Sequence, residues 1–143
     1  MWTGIKNIMT KSNIGIHNLN NGDRPIIGIV GLGYVGLPLA VEFSKHYDVI
    51  GFDINKKRIK SLNRGEDESL EVDKKSIELA NNLYFTSNSD DLSSCNIFIV
   101  TVPTPIDKSN IPDLGPLISA SKTVGKSLKK DDYVIYESTV YPG

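Results

Sequence analysis

An apolar run followed at once by three closely spaced glycines is the feature that most limits what this chain can fold into. Residues 26–36 read IIGIVGLGYVG, in which the glycines after the run are Gly31, Gly33 and Gly36. A short continuous apolar run is typical of a β-strand that is buried on both faces, as in a parallel sheet. Glycines directly after it allow a tight turn, because they lack the Cβ that restricts the backbone. The stretch therefore predicts a strand, a glycine loop and a helix in that order.

The rest of the chain repeats this alternation of apolar strands and helical segments. Strands are predicted at 26–30, 49–53, 83–86, 96–102 and 133–136, and helices at 34–46, 55–64, 74–81 and 114–128. Strands that alternate with helices form parallel βαβ units, whose crossovers are right-handed almost without exception. The prediction is an α/β protein with a Rossmann-type doubly wound parallel sheet in three layers. In this topology the fourth strand lies beside the first.

The composition of the 143 residues limits the classes of function. The net charge is −1 and no long basic run is present, which argues against nucleic acid or an anionic membrane as the main partner. No apolar stretch approaches the roughly 18 residues of a transmembrane helix, and residues 1–24 lack the apolar core of a secretion signal. Cys95 is the only cysteine, which excludes an internal disulfide and a multi-cysteine metal site. The expected location is cytoplasmic, and no metal is expected.

The glycines form a GxGxxG pattern whose context favours a dinucleotide site over a plain turn. The first glycine permits the tight turn, the second lets a pyrophosphate approach the backbone, and the third lets the helix pack closely on the strand. The pyrophosphate then meets free N–H groups at the positive end of the helix. Asp53 closes the second strand, where its carboxylate can accept hydrogen bonds from the adenosine ribose.

The charge of Asp53 also bears on the choice of cofactor. A carboxylate at this place repels a 2′-phosphate and therefore favours NAD over NADP. Lys56, Lys57 and Arg58 follow shortly after, and basic residues can hold a phosphate. Lys56 and Lys57 are interpreted as the solvated face of a helix, so NAD remains the predicted cofactor.

Two further loops extend the pattern, and with them the sequence resembles a known family. Ligands lie outside the carboxyl ends of the strands, which places loops 101–105 and 137–143 near the glycine loop. The segments IGIVGLGYVGLPLA, GFDINKKRI, VTVPTPID with PDL, and ESTVYPG occur in this order. They resemble the amino-terminal domain of the UDP-glucose/GDP-mannose dehydrogenase family over residues 25–143. The VPTPID version is most similar to the UDP-N-acetylhexosamine 6-dehydrogenases of capsular and Vi-type polysaccharide biosynthesis.

The resemblance implies roles for individual residues. The pyrophosphate of NAD is expected on the glycine loop, which comprises Gly31, Gly33, Tyr34, Val35 and Gly36. Asp53 is expected to bind the ribose, Arg58 to lie near the adenosine, and Thr104 to lie near the cofactor. Thr139 is implied to lie close to NAD and to help place a catalytic water, so it is the catalytic candidate of this chain. Pro103 stands where many UDP-glucose members carry Asn, which leaves the exact sugar open.

The resemblance also implies the activity of the whole enzyme. It would oxidise the C6 alcohol of a UDP-sugar, expected to be a UDP-N-acetylhexosamine, to the uronic acid with two NAD, for polysaccharide biosynthesis. The family's catalytic cysteine lies beyond residue 143, so Cys95 is interpreted as a small buried hydrophobe. Residues 1–24 are expected to be a leader, and 25–143 an NAD-binding domain truncated before the middle helix and the UDP-sugar domain. The isolated chain is expected to be inactive, and the full-length protein a homodimer.

Two other functions stay open at this point. Another NAD-dependent dehydrogenase, of 3-hydroxyacyl or 6-phosphogluconate type, would share the same first half, although the segment ESTVYPG argues against it. A stand-alone NAD-sensing module without catalysis would contain the same cradle. The cluster of acidic residues in 66–73 is interpreted as a solvated turn rather than a metal site.

Overall fold

One parallel sheet organises the chain, whose computed structural model describes residues 25–106 and 111–138. The strands of this sheet are β1 (Ile26–Val30), β2 (Asp48–Phe52), β3 (Leu83–Thr86), β4 (Ile97–Val100) and β5 (Tyr133–Tyr136). The α-helices between them are α1 (Gly36–Ser44), α2 (Lys56–Leu62), α3 (Lys74–Leu79) and α4 (Gly115–Ser127). A 3-10 helix, Ser89–Ser94, precedes β4. The predicted leader, residues 1–24, lies outside the described residues.

The strand order places β1 at the centre of the sheet. The order is β3-β2-β1-β4-β5 and every neighbouring pair is parallel, so Gly28 of β1 pairs with Ile50 of β2 on one side and with Phe98 of β4 on the other. This arrangement confirms the prediction of a doubly wound sheet with the fourth strand beside the first. The chain leaves β1 toward β2 and later returns toward β4, so the carboxyl ends of β1 and β4 form the switch point at which such sheets bind ligands.

Both faces of the sheet are covered over its central strands, which explains the continuous apolar runs of β1 and β4, whereas the edge strand β5 is mostly exposed. On one face, Ile27 and Ile29 pack with buried residues of α1, α2 and α3. On the other face, Val30 and Phe98 pack with Leu92 of the 3-10 helix and with apolar residues of α4. The result is the predicted three-layer arrangement.

The ends of two elements differ from prediction at the place where the site forms. The first helix was predicted from residue 34 but begins at Gly36, because the preceding residues belong to the glycine loop. The fourth strand was predicted to reach residue 102 but ends at Val100. Thr101 and Val102 instead leave the sheet and approach the glycine loop. Both differences lengthen the loops at the switch point.

Candidate functional site

A cleft of about 400 Å³ opens at the carboxyl ends of β1, β2 and β4. Its lining comes from the glycine loop, the end of β2, the loop after β4 and one face of α4. Among the residues predicted for the site, the cleft is lined by Gly31, Gly33, Asp53 and Arg58. The cleft therefore lies at the topological switch point, where the fold predicts a ligand.

The three glycines of the loop meet three different structural needs. Gly31 has φ +102°, a conformation that L side chains rarely adopt. A Cβ on Gly36 would lie 1.8 Å from the carbonyl oxygen of Gly31 and 2.5 Å from Oγ1 of Thr101, so only glycine lets α1 approach the loop this closely. A Cβ on Gly33 would meet no described atom within 4 Å. The loop is thus tightly packed at its ends and open at its middle glycine, beside the cleft.

The start of α1 offers unpaired hydrogen-bond donors. Within the described residues, the backbone N–H groups of Gly33, Tyr34, Val35 and Gly36 donate no hydrogen bond. The first turn of α1 contains no acidic residue, so no negative charge of the helix itself competes for these donors. Unpaired N–H groups and the partial positive charge at a helix N-terminus suit an anion such as a pyrophosphate.

Asp53 follows β2 directly and binds the glycine loop. Its Oδ2 accepts a hydrogen bond from the Leu32 N–H at 2.9 Å, and its Oδ1 accepts one from the Asn55 N–H at 2.8 Å. A carboxylate can accept about four hydrogen bonds in all, so the half-buried Asp53 can still accept bonds from ribose hydroxyls. Lys56 and Lys57 are exposed on α2, as expected for a solvated helix face.

Arg58 is buried, unlike the two lysines before it. Its Nε donates to the carbonyl oxygen of Leu32 at 2.9 Å, and its Nη1 lies 2.7 Å from Oδ1 of Asp67. Its Nη2 donates to Oγ of Ser69 at 3.3 Å. The guanidinium therefore joins the glycine loop to the segment after α2, while part of Arg58 still lines the cleft.

The prediction of a solvated acidic turn at 66–73 is wrong for Asp67, whose side chain is only 1% exposed. Its carboxylate accepts hydrogen bonds from the N–H and hydroxyl of Ser69 and from the N–H groups of Glu71 and Val72. Burial alone raises the pKa of Asp67, but the bonds from Ser69, Val72 and Arg58 outweigh it and lower the pKa from 3.8 to about 2. Asp67 is thus a structural anion, and the described part of the chain holds no group of residues suited to a metal ion.

The loop after β4 contacts the glycine loop through Thr101. The Thr101 hydroxyl donates to the carbonyl oxygen of Gly31 at 2.6 Å. Thr104 is half-buried and lies just beyond the residues that line the cleft. Thr139, the catalytic candidate, lies outside the described residues.

One face of α4 contributes to the cleft and was missed by the sequence analysis. Pro116, Ser119, Ala120 and Thr123 line the side opposite the glycine loop. The signal was present, because small and hydroxyl side chains recur there at spacings of three and four residues, which share one helix face. It was not noticed because the apolar stripe of the same helix dominated the pattern.

Cys95 lies outside the cleft and is fully buried. Burial raises the pKa of its thiol to about 12, so the thiolate that a nucleophile requires is absent at neutral pH. A Cβ on Gly28 would come within 3.0 Å of its Sγ, which shows that the thiol packs against the centre of β1. These contacts support its interpretation as a small hydrophobe.

Comparisons with known proteins indicate what this cleft binds. Residues 25–143 match the sequence profile of the UDP-glucose/GDP-mannose dehydrogenase family, NAD binding domain. The chain belongs to this family. It is 62% identical over 117 residues to UDP-N-acetyl-D-glucosamine 6-dehydrogenase of Pseudomonas aeruginosa, and 55% identical over 121 residues to the protein of the same name from Salmonella typhi. These alignments cover 82% and 85% of this chain but 28% of each relative, so the chain spans little more than a quarter of their length.

A solved structure of a related dehydrogenase is similar in fold to this chain. UDP-D-ManNAc dehydrogenase from Pyrococcus horikoshii superposes with a TM-score of 0.76 at 38% identity, covering 82% of this chain and 29% of that one. This likeness confirms the Rossmann-type fold. NAD is the cofactor of the family's domain, as predicted, and the residues present fit it: the space at Gly33, the unpaired N–H groups of α1 and the carboxylate of Asp53. Within residues 25–106 and 111–138, none of the helices has the length and apolar character that a membrane span requires.

Proposed function

We propose that this chain is the NAD-binding part of a nucleotide-sugar 6-dehydrogenase that acts on a UDP-N-acetylhexosamine in polysaccharide biosynthesis. The observation that carries the proposal is a cleft whose glycine loop and Asp53 fit NAD, in a chain 62% identical to a UDP-N-acetyl-D-glucosamine 6-dehydrogenase. The reaction converts the C6 alcohol to a carboxylate. Two hydrides leave the sugar carbon for two NAD, and one water supplies the second carboxylate oxygen.

The described residues are assigned to the binding of the cofactor. The N–H groups of Tyr34 and Val35, with the open space at Gly33, hold the pyrophosphate, and the carboxylate of Asp53 holds the ribose hydroxyls. Bound NAD supplies the acceptor for the hydride. These residues fix its position, and binding of the dinucleotide excludes water from the crevice.

Three further assignments rest on the motifs of the sequence. Arg58 is placed near the adenosine, Thr104 near the cofactor, and Thr139 next to a catalytic water. Residues 25–143 are assigned to the NAD-binding domain and residues 1–24 to a leader. The family model matches residues 25–143, which include Arg58, Thr104 and Thr139, and this match supports the assignments within that range.

The remaining parts of the reaction are assigned outside this chain. The UDP-sugar would bind mostly outside this chain, with a second domain completing its site. The cysteine nucleophile is assigned beyond residue 143, because Cys95 is buried and protonated. The complete protein is proposed to be a cytoplasmic homodimer without nucleic acid or membrane partners. The chain alone is expected to bind NAD weakly and to catalyse nothing.

Isothermal titration of the 143-residue chain with NAD, and with NADP as the comparison, tests the assignment of the cleft. Binding of NAD with much weaker binding of NADP is the expected result. Binding of neither dinucleotide would contradict a cradle that forms within this chain. The activity is tested separately by assaying the complete gene product, where oxidation of 3-hydroxyacyl compounds or 6-phosphogluconate instead of UDP-sugars would refute the substrate class.

A further inference from the structure

Leu32, in the middle of the glycine loop, is held at both its N–H and its carbonyl group by charged side chains. The Leu32 N–H donates to the carboxylate of Asp53, and the Leu32 carbonyl oxygen accepts from Nε of Arg58, both at 2.9 Å. The side chain of Leu32 is fully buried, so the residue is fixed on its third side as well. The path of the loop between Gly31 and Gly33 therefore depends on the position of the Arg58 guanidinium.

The position of that guanidinium depends in turn on Asp67, which does not line the cleft. Nη1 of Arg58 lies 2.7 Å from Asp67, and Ser69 bonds to both partners through its hydroxyl. Asp67 itself is fixed by the N–H groups of Glu71 and Val72. An aspartate nine residues further along the chain, in a loop without regular structure, thus sets the orientation of a cleft residue.

This pairing affects the cofactor, because Arg58 is the cleft residue best suited to bind a phosphate. A guanidinium binds phosphate through two parallel N–H donors. Here those donors are directed to Asp67 and Ser69 instead. A 2′-phosphate that recruited Arg58 would leave Asp67 buried without its counter-charge, and an uncompensated buried charge is strongly destabilising. The carboxylates of Asp53 and Asp67 also supply two negative charges against the one positive charge of Arg58, which disfavours a further phosphate.

We propose that Asp67 is a positioning residue that determines cofactor specificity: it holds Arg58 against the glycine loop and keeps the guanidinium from a 2′-phosphate. The inference rests on the NAD-binding role of the cleft and adds a second determinant to the charge of Asp53. Asp67 is not among the residues that line the cleft and acts through Arg58.

The test compares the dissociation constants of NAD and NADP for the 143-residue chain and its variants by isothermal titration. In Asp67→Asn the ratio of the NADP constant to the NAD constant should fall roughly tenfold, the effect of one charge-assisted hydrogen bond. Adding Arg58→Met to this variant should abolish the gain in NADP binding. The control is Asp73→Asn, which removes the same charge from an exposed helix cap bonded to Ser76 and should leave the ratio unchanged.

Two outcomes would overturn the proposal: an unchanged ratio in Asp67→Asn, or an equal loss of affinity for both dinucleotides, which a purely structural role would cause. If Asp67→Asn does not fold, as judged by circular dichroism, Ser69→Ala replaces it, since the hydroxyl bridges Arg58 and Asp67. That variant should lower the ratio by a smaller factor, and an unchanged ratio there would again overturn the proposal.

A readout without cofactor separates this proposal from the proposed function. A chain that bound neither dinucleotide would refute the cradle, but the Arg58 Nε–H proton can still be followed by NMR. Slow exchange of this proton with water in the parent chain and in Asp73→Asn, with fast exchange in Asp67→Asn, supports the positioning role. Equal exchange in all three chains would refute it.

Discussion

Replacing Gly36 by Ala would test how closely α1 must pack on the glycine loop. The new Cβ would lie 1.8 Å from the carbonyl oxygen of Gly31, whereas real Cβ atoms essentially never come within 3.0 Å of such an atom. Loop and helix would therefore have to separate by more than an ångström. The same Cβ would lie 2.5 Å from Oγ1 of Thr101 and would disturb its hydrogen bond to Gly31.

The size of the effect follows from three contributions. Overpacking a rigid contact costs about 1–3 kcal/mol, and weakening the Thr101 hydrogen bond costs about 1 kcal/mol. The better helix propensity of alanine offsets at most about 1 kcal/mol of this loss of stability. The free energy of unfolding of Gly36→Ala should therefore be lower than that of the parent chain by about 1–4 kcal/mol.

Urea unfolding followed by circular dichroism measures this difference, and Gly33→Ala is the matched control. A methyl group on Gly33 meets no described atom within 4 Å. The free energy of unfolding of Gly33→Ala should therefore stay within about 0.5 kcal/mol of the parent value. The affinity of this variant for NAD should nevertheless fall, because the methyl group fills the space assigned to the pyrophosphate. A Gly36→Ala chain as stable as the parent would refute the packing argument.

Three further predictions concern single side chains. Asp53→Ala should weaken NAD binding by roughly 1–3 kcal/mol, the loss expected for charge-assisted hydrogen bonds, and unchanged affinity in isothermal titration would contradict its assignment to the ribose. Because the pKa of Asp67 is lowered from 3.8 to about 2, ionised Asp67 stabilises the fold by roughly 2.5 kcal/mol above pH ~4, and this contribution is lost as the pH falls to about 2. The free energy of unfolding in urea should fall between those pH values in the parent chain but not in Asp67→Asn. An equal dependence on pH in both chains would contradict the stabilising role of ionised Asp67. The buried thiol of Cys95 should react with an aromatic disulfide reagent only as fast as the chain unfolds, and rapid reaction in native buffer would show that it is accessible.

Much of the fold could be predicted because local pattern and topology rules agree. Each strand contains a short apolar run, and the right-handed crossover rule leaves few arrangements for such strands. The glycine loop was also predictable, since its three glycines stand between an apolar strand and a helical segment, and Asp53 closes the next predicted strand. The 3-10 helix at Ser89–Ser94 was missed because Leu92 is its only apolar residue, which gives no helical periodicity. The side chain of Asn88 accepts the Asp90 N–H and defines the start of this helix.

The environment of Arg58 could not be predicted from the sequence. Three basic residues follow one another at 56–58, and composition alone does not show which of them faces the protein. The side chain of Asn55 caps α2 by accepting the N–H groups of Lys57 and Arg58, and Arg58 lies on the buried face of this helix with Ile59 and Leu62. Its partner Asp67 lies in an irregular segment whose acidic composition is typical of a solvated turn.

The central place of β1 also governs how the chain folds as it is made. β2 follows β1 closely, but the other neighbour comes about seventy residues later, where Ile27 pairs with Ile97. Pairing between such distant residues is slow, because chain entropy must be lost before the contact forms. During synthesis one edge of β1 therefore presents unpaired N–H and C=O groups beside apolar side chains, a state in which strands of different molecules join. The soluble yield of this protein should depend on how soon β4 leaves the ribosome to cover that edge.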